Sequence, residues 1–310
     1  MKSIMAGLGK RGLTCILALA WVALAAGVRA DDVKLKPFIL AAEGSAQPAE
    51  VIAHTKSALK ANGFEIIGEY APYENADVIV VTNRDLKKQA ARTELGGFGA
   101  IQRVAVTTVN GKTQVAYTNP VYMANAYRMK SDLEDVAKQL KTALGAQQAF
   151  GARGLTAAEL RKYHYKIFMP YFDEVYELRK FSSYGEAVKA VESGLAQHKG
   201  GTSKVYRVDI PGKRQTVFGV KLTKGCGADK FIMGKIDRGA LRSTPHLPYE
   251  LMVNGNQVIS LHPKFRIAQS FPDLTMLGSG SFWDIKCAPD AIREAFYAVV
   301  GKPKDTAPAW

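Results

Sequence analysis

The sequence predicts an α+β protein of two tandem two-layer domains, each with an antiparallel or mixed sheet covered by helices on one face. Three observations lead to this prediction. The 310 residues, 47% of them apolar and 23% charged, are too many for one typical domain and suit two folded ones. The order helix, strand, strand, hairpin, helix occurs twice along the chain. Each copy also contains an Asn-Gly dipeptide between apolar runs, which is typical of a tight β-hairpin.

Residues 1–30 are predicted to be a secretory signal peptide. Residues 1–11 carry three basic side chains and no acidic one, residues 13–26 are apolar, and small residues precede a cleavage site between Ala30 and Asp31. The apolar run is short for a bilayer span, although an uncleaved anchor is an alternative. We therefore expect a soluble periplasmic or secreted chain. Removal of the four basic residues of the signal lowers its formal charge from +14 to +10.

The first predicted domain covers residues 31–150. Apolar side chains at helical spacing in residues 51–59, followed by Gly63, predict its opening helix. Asn110-Gly111 predicts the hairpin, because this turn requires positive φ at both central residues. The predicted helices are 49–62 and 131–144, and the predicted strands are 64–70, 78–82, 104–109 and 113–117.

A linker is predicted at residues 151–182. Thr156 and Glu159 have the spacing of a capping box, and Pro170 interrupts any helix that passes through it. We expect a helix, a bend and a strand whose aromatic side chains pack between the two domains. An aromatic platform for a ligand is the alternative.

The second predicted domain covers residues 183–301 and repeats the plan of the first. Asn254-Gly255 predicts its hairpin, and a proline follows each outgoing strand, Pro120 in the first copy and Pro263 in the second. The predicted helices are 185–198 and 289–300, and the predicted strands are 204–208, 216–222, 249–253 and 257–261. A tail at 302–310 ends the chain.

The first half resembles a known family. Residues 58–68 read Ala-Leu-Lys-Ala-Asn-Gly-Phe-Glu-Ile-Ile-Gly, and residues 115–122, after the Asn-Gly turn, read Val-Ala-Tyr-Thr-Asn-Pro-Val-Tyr. This pattern is similar to the family called domain of unknown function 302, over about residues 40–145, with a divergent second copy in the C-terminal half. The resemblance implies a small two-layer α+β fold that often occurs in secreted bacterial proteins. It implies no reaction, cofactor or catalytic residue.

Two cysteines remain once Cys15 leaves with the signal. Because an oxidising compartment favours pairing, Cys226 and Cys287 are predicted to form a disulfide. A reactive or metal-binding thiol pair is the alternative, although neither cysteine lies in a C-x-x-C motif.

The positive charge is concentrated in the second half. Residues 31–150 have a formal net charge of +1 and residues 151–310 one of +9. This asymmetry predicts that the basic second domain contacts a small anion or an acidic, possibly redox, periplasmic partner. A solvated strand pair with scattered lysines is the alternative, and nucleic acid is excluded by export. The candidate binding residues are Lys235, Arg238, Arg242, His246, His262 and Arg266.

Two alternative functions use histidine. A periplasmic enzyme could have an inter-domain site with His246 or His262 as general base. A haem or metal protein could use His246, His262 and Met276, although the sequence has neither C-x-x-C-H nor H-x-x-x-H. The sequence therefore predicts no catalytic residue, no metal site and no cofactor, and leaves the oligomeric state open.

Overall fold

The computed structural model describes residues 33–302. The predicted signal peptide with its cleavage site at Ala30 and Asp31, and residues 303–310 of the predicted tail, lie outside this range. Within it, no helix combines the length and the apolar character that crossing a membrane requires.

The first domain is a six-stranded antiparallel sheet with helices between its strands. The order of its strands is β2-β3-β4-β5-β1-β6. Its elements are β1 (Phe38–Gly44), α1 (Pro48–Ala61), β2 (Glu65–Tyr73), β3 (Ala76–Thr82), α2 (Arg84–Ala91), β4 (Gln102–Val109), β5 (Lys112–Thr118), α3 (Pro120–Ala126), α4 (Glu134–Leu144) and β6 (Gln148–Phe150).

The second domain follows a single short helix, α5 (Ala157–Arg161). Its five-stranded antiparallel sheet has the order β7-β11-β10-β9-β8. Its elements are β7 (Tyr176–Lys180), α6 (Tyr184–Ala196), β8 (Thr202–Asp209), β9 (Gln215–Leu222), α7 (Asp229–Ile236), β10 (Tyr249–Asn254), β11 (Gln257–Ser260), α8 (Pro263–Ala268) and α9 (Ala288–Val300).

The two domains have the same topology. When the strands of each domain are numbered from its own first strand, both sheets have the order second, third, fourth, fifth, first. The first sheet has one further strand, β6, which pairs with β1 at its edge. In both domains helices follow the first, third and fifth strands. The predicted α+β class and the two sheet-bearing parts are thus confirmed, and both sheets are antiparallel rather than mixed.

Several local predictions were incomplete. Each domain opens with a strand, β1 or β7, before the helix that was predicted to open it. Pro120 and Pro263 each begin a short helix, where a residue without an amide N–H costs no hydrogen bond. The capping box of Thr156 and Glu159 is present at α5.

The domains pack reciprocally. The edge strands β2 and β8 lie so close that a Cβ atom on Gly68 would be 2.5 Å from the carbonyl oxygen of Val205. The 3-10 turn Gly96–Gly99, which precedes β4, lies on β9 and β10 of the second sheet. The corresponding turn before β10, Thr244–His246, lies on β3, β4 and β5 of the first sheet. Each domain therefore covers part of the other.

The predicted disulfide is present. Cys226 and Cys287 are bonded across a sequence separation of 61 residues. The bond links the turn before α7 to the start of α9, so it fixes the N-terminal end of α7.

Candidate functional site

A pocket of about 440 Å³ lies at the junction of the two domains, beside α7. The first domain contributes the turn between β2 and β3 and the end of β4. The second contributes α7 and residues 237–243 after it. The lining residues are Tyr73, Glu74, Asn75, Thr107, Thr108, Val109, Lys230, Met233, Gly234, Asp237, Arg238 and Arg242.

Three of these side chains are cationic. Lys230 lies on α7, and Arg238 and Arg242 lie on the following loop. Arg238 Nη1 donates to Ser279 Oγ at 2.8 Å, and Arg242 Nη1 donates to the carbonyl oxygen of Asp237. Because a guanidinium has five N–H donors, each arginine keeps donors for a ligand while one bond holds it in place.

Hydroxyl groups connect the two domains next to this pocket. Tyr73 Oη and Thr107 Oγ1, from β2 and β4, lie 2.8 and 2.9 Å from Thr244 Oγ1 in the turn before β10. Burial raises the pKa of Tyr73 well above its ordinary value, so its hydroxyl stays protonated. These three residues attach the turn of the second domain to the sheet of the first, which fixes the pocket walls relative to each other.

Asp237 makes the charge of the pocket dependent on pH. Its carboxylate oxygens accept hydrogen bonds from the backbone N–H of Ser243 at 2.9 and 3.0 Å. Burial nevertheless raises the pKa of Asp237 to about 7. Near neutral pH a fraction of this carboxyl is therefore uncharged, which leaves the three cations of the lining less compensated.

The first domain has a corresponding junction beside α2, and side chains of the second domain bridge it. There Lys213 Nζ donates to the carbonyl oxygen of Thr93 at 2.5 Å, and Gln215 Nε2 donates to that of Glu94 at 2.6 Å. Four residues, 92–95, connect α2 to the turn before β4, whereas seven, 237–243, connect α7 to the turn before β10. The longer connection carries Arg238 and Arg242. The open junction lined by these arginines therefore occurs beside α7 and not beside α2.

The six candidate binding residues are divided among four places. Arg238 and Arg242 line the pocket. Lys235 lies on α7 outside its lining, with Nζ 5.8 Å from the centre of the Phe231 ring. His262 caps α8 through the backbone N–H of Lys264, and its ring lies 4.3 Å from that of Tyr176. His246 and Arg266 are buried between the domains.

His246 and Arg266 belong to a buried ionic cluster. Glu250 of β10 pairs with Arg103 of β4 on one side and with Arg266 of α8 on the other, the latter at 3.0 Å. Arg266 Nη1 donates to His246 Nδ1 at 2.9 Å, and His246 Nε2 lies 3.0 Å from Tyr249 Oη. The cluster joins the two domains, because Arg103 comes from the first and the other residues come from the second.

The burial of His246 bears on its expected role. Its ring is 0% exposed, and burial together with the charges of Arg266 and Arg103 lowers its pKa far below the ordinary value. A general base must come within hydrogen-bond distance of its substrate. His246 is placed to support the domain interface and not to meet a ligand, and the same burial removes Arg266 from the list of ligand contacts.

The predicted metal ligands are placed apart. His246 is enclosed by Tyr249 and Phe271, His262 lies against Tyr176, and Met276 is 40% exposed on the loop after α8. Residues 33–302 contain no group of three or more His, Cys, Asp or Glu side chains placed to hold a metal ion.

Sequence reasoning missed the part of the site that the first domain supplies. Tyr73 and Thr107 carry no sequence signal, because their role depends on the turn before β10 reaching across to them. Arg103 and Glu250 did carry a sequence signal, because a charged residue inside an otherwise apolar strand requires a partner when it is buried.

Part of the chain matches a known protein family. Residues 42–146 match the family model described as Domain of unknown function DUF302. A search of curated proteins and a search of solved structures gave no match. The match includes the pocket residues of β2 and β4 but ends before α7. The region from the end of β1 through α4 therefore matches the DUF302 family, as its sequence resemblance indicated.

Proposed function

We propose that this protein is an exported binding or accessory protein that holds a small oxyanion in the pocket between its domains. The observation that carries the proposal is the convergence of Lys230, Arg238 and Arg242 on one pocket of small-ligand size. Charge-assisted hydrogen bonds from arginine are strong and match the geometry of carboxylate, phosphate and sulfate oxygens.

The shape of the site favours a small anion over an acidic protein partner. The cations line a recess whose walls come from two domains, and this recess is continuous with the hydroxyl contacts of Tyr73 and Thr107. Lys230 and Arg238 are themselves exposed, so the anion that fits best is one small enough to enter the recess and reach all three cations.

Calorimetric titration tests this proposal. The chain beginning at Asp31, which contains every described element, would be titrated with sulfate, thiosulfate, phosphate and small dicarboxylates. We expect saturable one-site binding of at least one of them, weakened at least tenfold by Arg238→Gln because one charge-assisted bond is lost. Arg214→Gln, on an exposed turn of the same domain, is the matched control. Absence of heat with every anion, or equal affinity in the two variants, would refute the proposal.

We further propose that the second domain is a divergent copy of the first. The shared strand order, the Asn-Gly hairpin turns at residues 110–111 and 254–255, and the prolines that begin α3 and α8 support it. On this view the pocket arose where the second copy lengthened the connection after α7.

A further inference from the structure

The loop between α5 and β7 exposes two large apolar side chains at its tip. Phe168 is 100% exposed and Ile167 is 76% exposed. They are consecutive in the chain, and Phe168 has a φ of 67°, a backbone region that a bulky residue rarely adopts. An apolar pair so fully in solvent is unfavourable unless something covers it.

The base of this loop is firmly held. Tyr163 Oη donates to the carbonyl oxygen of Ala268 at 3.0 Å. Phe172 packs against Tyr127 and Phe265, with ring centres 5.4 and 5.9 Å apart. The tip therefore projects from a fixed platform, and its exposure is a property of the folded chain.

The flanks of the tip are basic. Lys162 and Lys166 are exposed on the same loop, and Lys264 lines the recess beside Ile167 and Phe168. The loop also carries two acidic groups, of which Glu174 lines the same recess, and each has a partner within the protein. Asp173 pairs with Arg128 at 2.8 Å, and Glu174 accepts the backbone N–H of Tyr171 at 2.7 Å.

We propose that this loop docks the protein onto an anionic lipid surface. Ile167 and Phe168 would enter the boundary between headgroups and acyl chains, and Lys162 and Lys166 would contact lipid phosphates. The basic flanks complement such a surface, as does the chain from Asp31 onward, with 38 basic against 28 acidic residues. A stable protein interface needs about 800 Å² from each partner, which a two-residue tip does not provide, whereas lipid insertion requires only a few apolar side chains and nearby cations.

Vesicle co-sedimentation tests this docking. The chain beginning at Asp31 is used, so that the apolar residues 13–26 do not contribute. We expect binding to phosphatidylcholine vesicles that contain phosphatidylglycerol, and little binding to phosphatidylcholine alone. The double variant Ile167→Asp/Phe168→Asp should lower the partition coefficient on the order of 100-fold, because two side chains no longer leave water. Lys162→Glu/Lys166→Glu should lower it about tenfold or more, and Lys189→Glu, an exposed charge reversal on α6, should leave it unchanged.

Three results of the vesicle assay would overturn the proposal. They are no binding to anionic vesicles, equal binding of the apolar-tip variant, and equal binding to both vesicle types. A concentration-dependent dimer that the apolar-tip variant abolishes, without vesicle binding, would also overturn it and assign the tip to contact between copies. Thermal unfolding of each variant serves as the folding control. We expect unchanged melting temperatures, because the substituted side chains are exposed.

Discussion

Replacing Glu250 by glutamine removes the carboxylate that lies between the guanidinium groups of Arg103 and Arg266. All three side chains are only 2% exposed, and Glu250 Oε2 lies 3.0 Å from Arg266 Nε. Burial and the neighbouring Arg266 lower the pKa of Arg103 to about 10, which still leaves it charged at neutral pH. The Glu250→Gln variant therefore contains two buried, mutually repelling cations with no counter-charge.

The expected cost follows from this geometry. Two unit charges about 3 Å apart interact by about 5 kcal/mol at an effective dielectric constant of about 20. Removing one member of a buried pair typically costs about 3–5 kcal/mol. Because Glu250 serves two arginines, we expect a loss near 5 kcal/mol in the free energy of unfolding, a large part of the 5–15 kcal/mol typical of a folded protein.

Urea unfolding followed by circular dichroism measures this loss. Glu134→Gln, which removes one exposed pairing partner of Lys138 on α4, is the matched control and should change the unfolding free energy by less than about 0.5 kcal/mol. The triple variant Arg103→Met/Glu250→Met/Arg266→Met should recover most of the lost stability, since hydrophobic replacement of a buried ionic triad is often neutral. A loss below about 1 kcal/mol for Glu250→Gln, or a triple variant as unstable as the single one, would refute this reasoning.

Three further predictions concern stability. Burial raises the pKa of Asp229 from 3.8 to about 8, so the folded chain holds a proton that the unfolded chain releases, and stability should fall as pH rises from about 4 to about 8. Asp229→Asn should be the more stable protein at pH 9 in thermal unfolding, and equal pH profiles would contradict this. Replacing Cys226 and Cys287 by serine should cost about 4 kcal/mol in urea unfolding, from the separation of 61 residues; an unchanged midpoint would argue against the bond. Gly68→Ala should lower the free energy of unfolding by about 1–3 kcal/mol, because the new Cβ would meet the backbone of β8. The control Gly185→Ala on α6 places its Cβ where no atom lies within 4 Å, so it should not destabilise the fold. Similar melting temperatures for the two variants would contradict this close packing of β2 on β8.

The elements that sequence predicted well are those with local signals. The Asn-Gly dipeptides determine both hairpins through the φ that the turn requires, and apolar spacing placed α1, α6 and α9 within two residues of their bounds. β1 was missed because its pairing partner β5 lies far along the chain and its residues do not alternate between apolar and polar. Helix α7 was missed because its lysines suggested a solvated strand pair, whereas Ile232, Met233 and Ile236 are its buried face.

The charge asymmetry along the chain predicts a contact in its second half, and two of the six candidate residues, Arg238 and Arg242, line the pocket there. Composition could not separate these two pocket cations from the fully buried Arg266, because the difference is one of burial. A pocket whose walls come from residues as distant as Thr107 and Lys230 depends on tertiary packing.

The pH dependence of sulfate affinity shows whether the pocket between the domains binds an oxyanion. Sulfate keeps its charge between pH 5 and 9, so a change in affinity reports on the protein. We expect one-site binding that tightens as pH falls through about 7, because Asp237 takes up a proton and no longer repels the anion. Asp237→Asn should bind tightly at every pH, Arg238→Gln should bind weakly, and Arg214→Gln should match the unaltered chain. Absence of binding, or an affinity that neither pH nor these pocket substitutions change, would mean that the pocket does not bind an oxyanion.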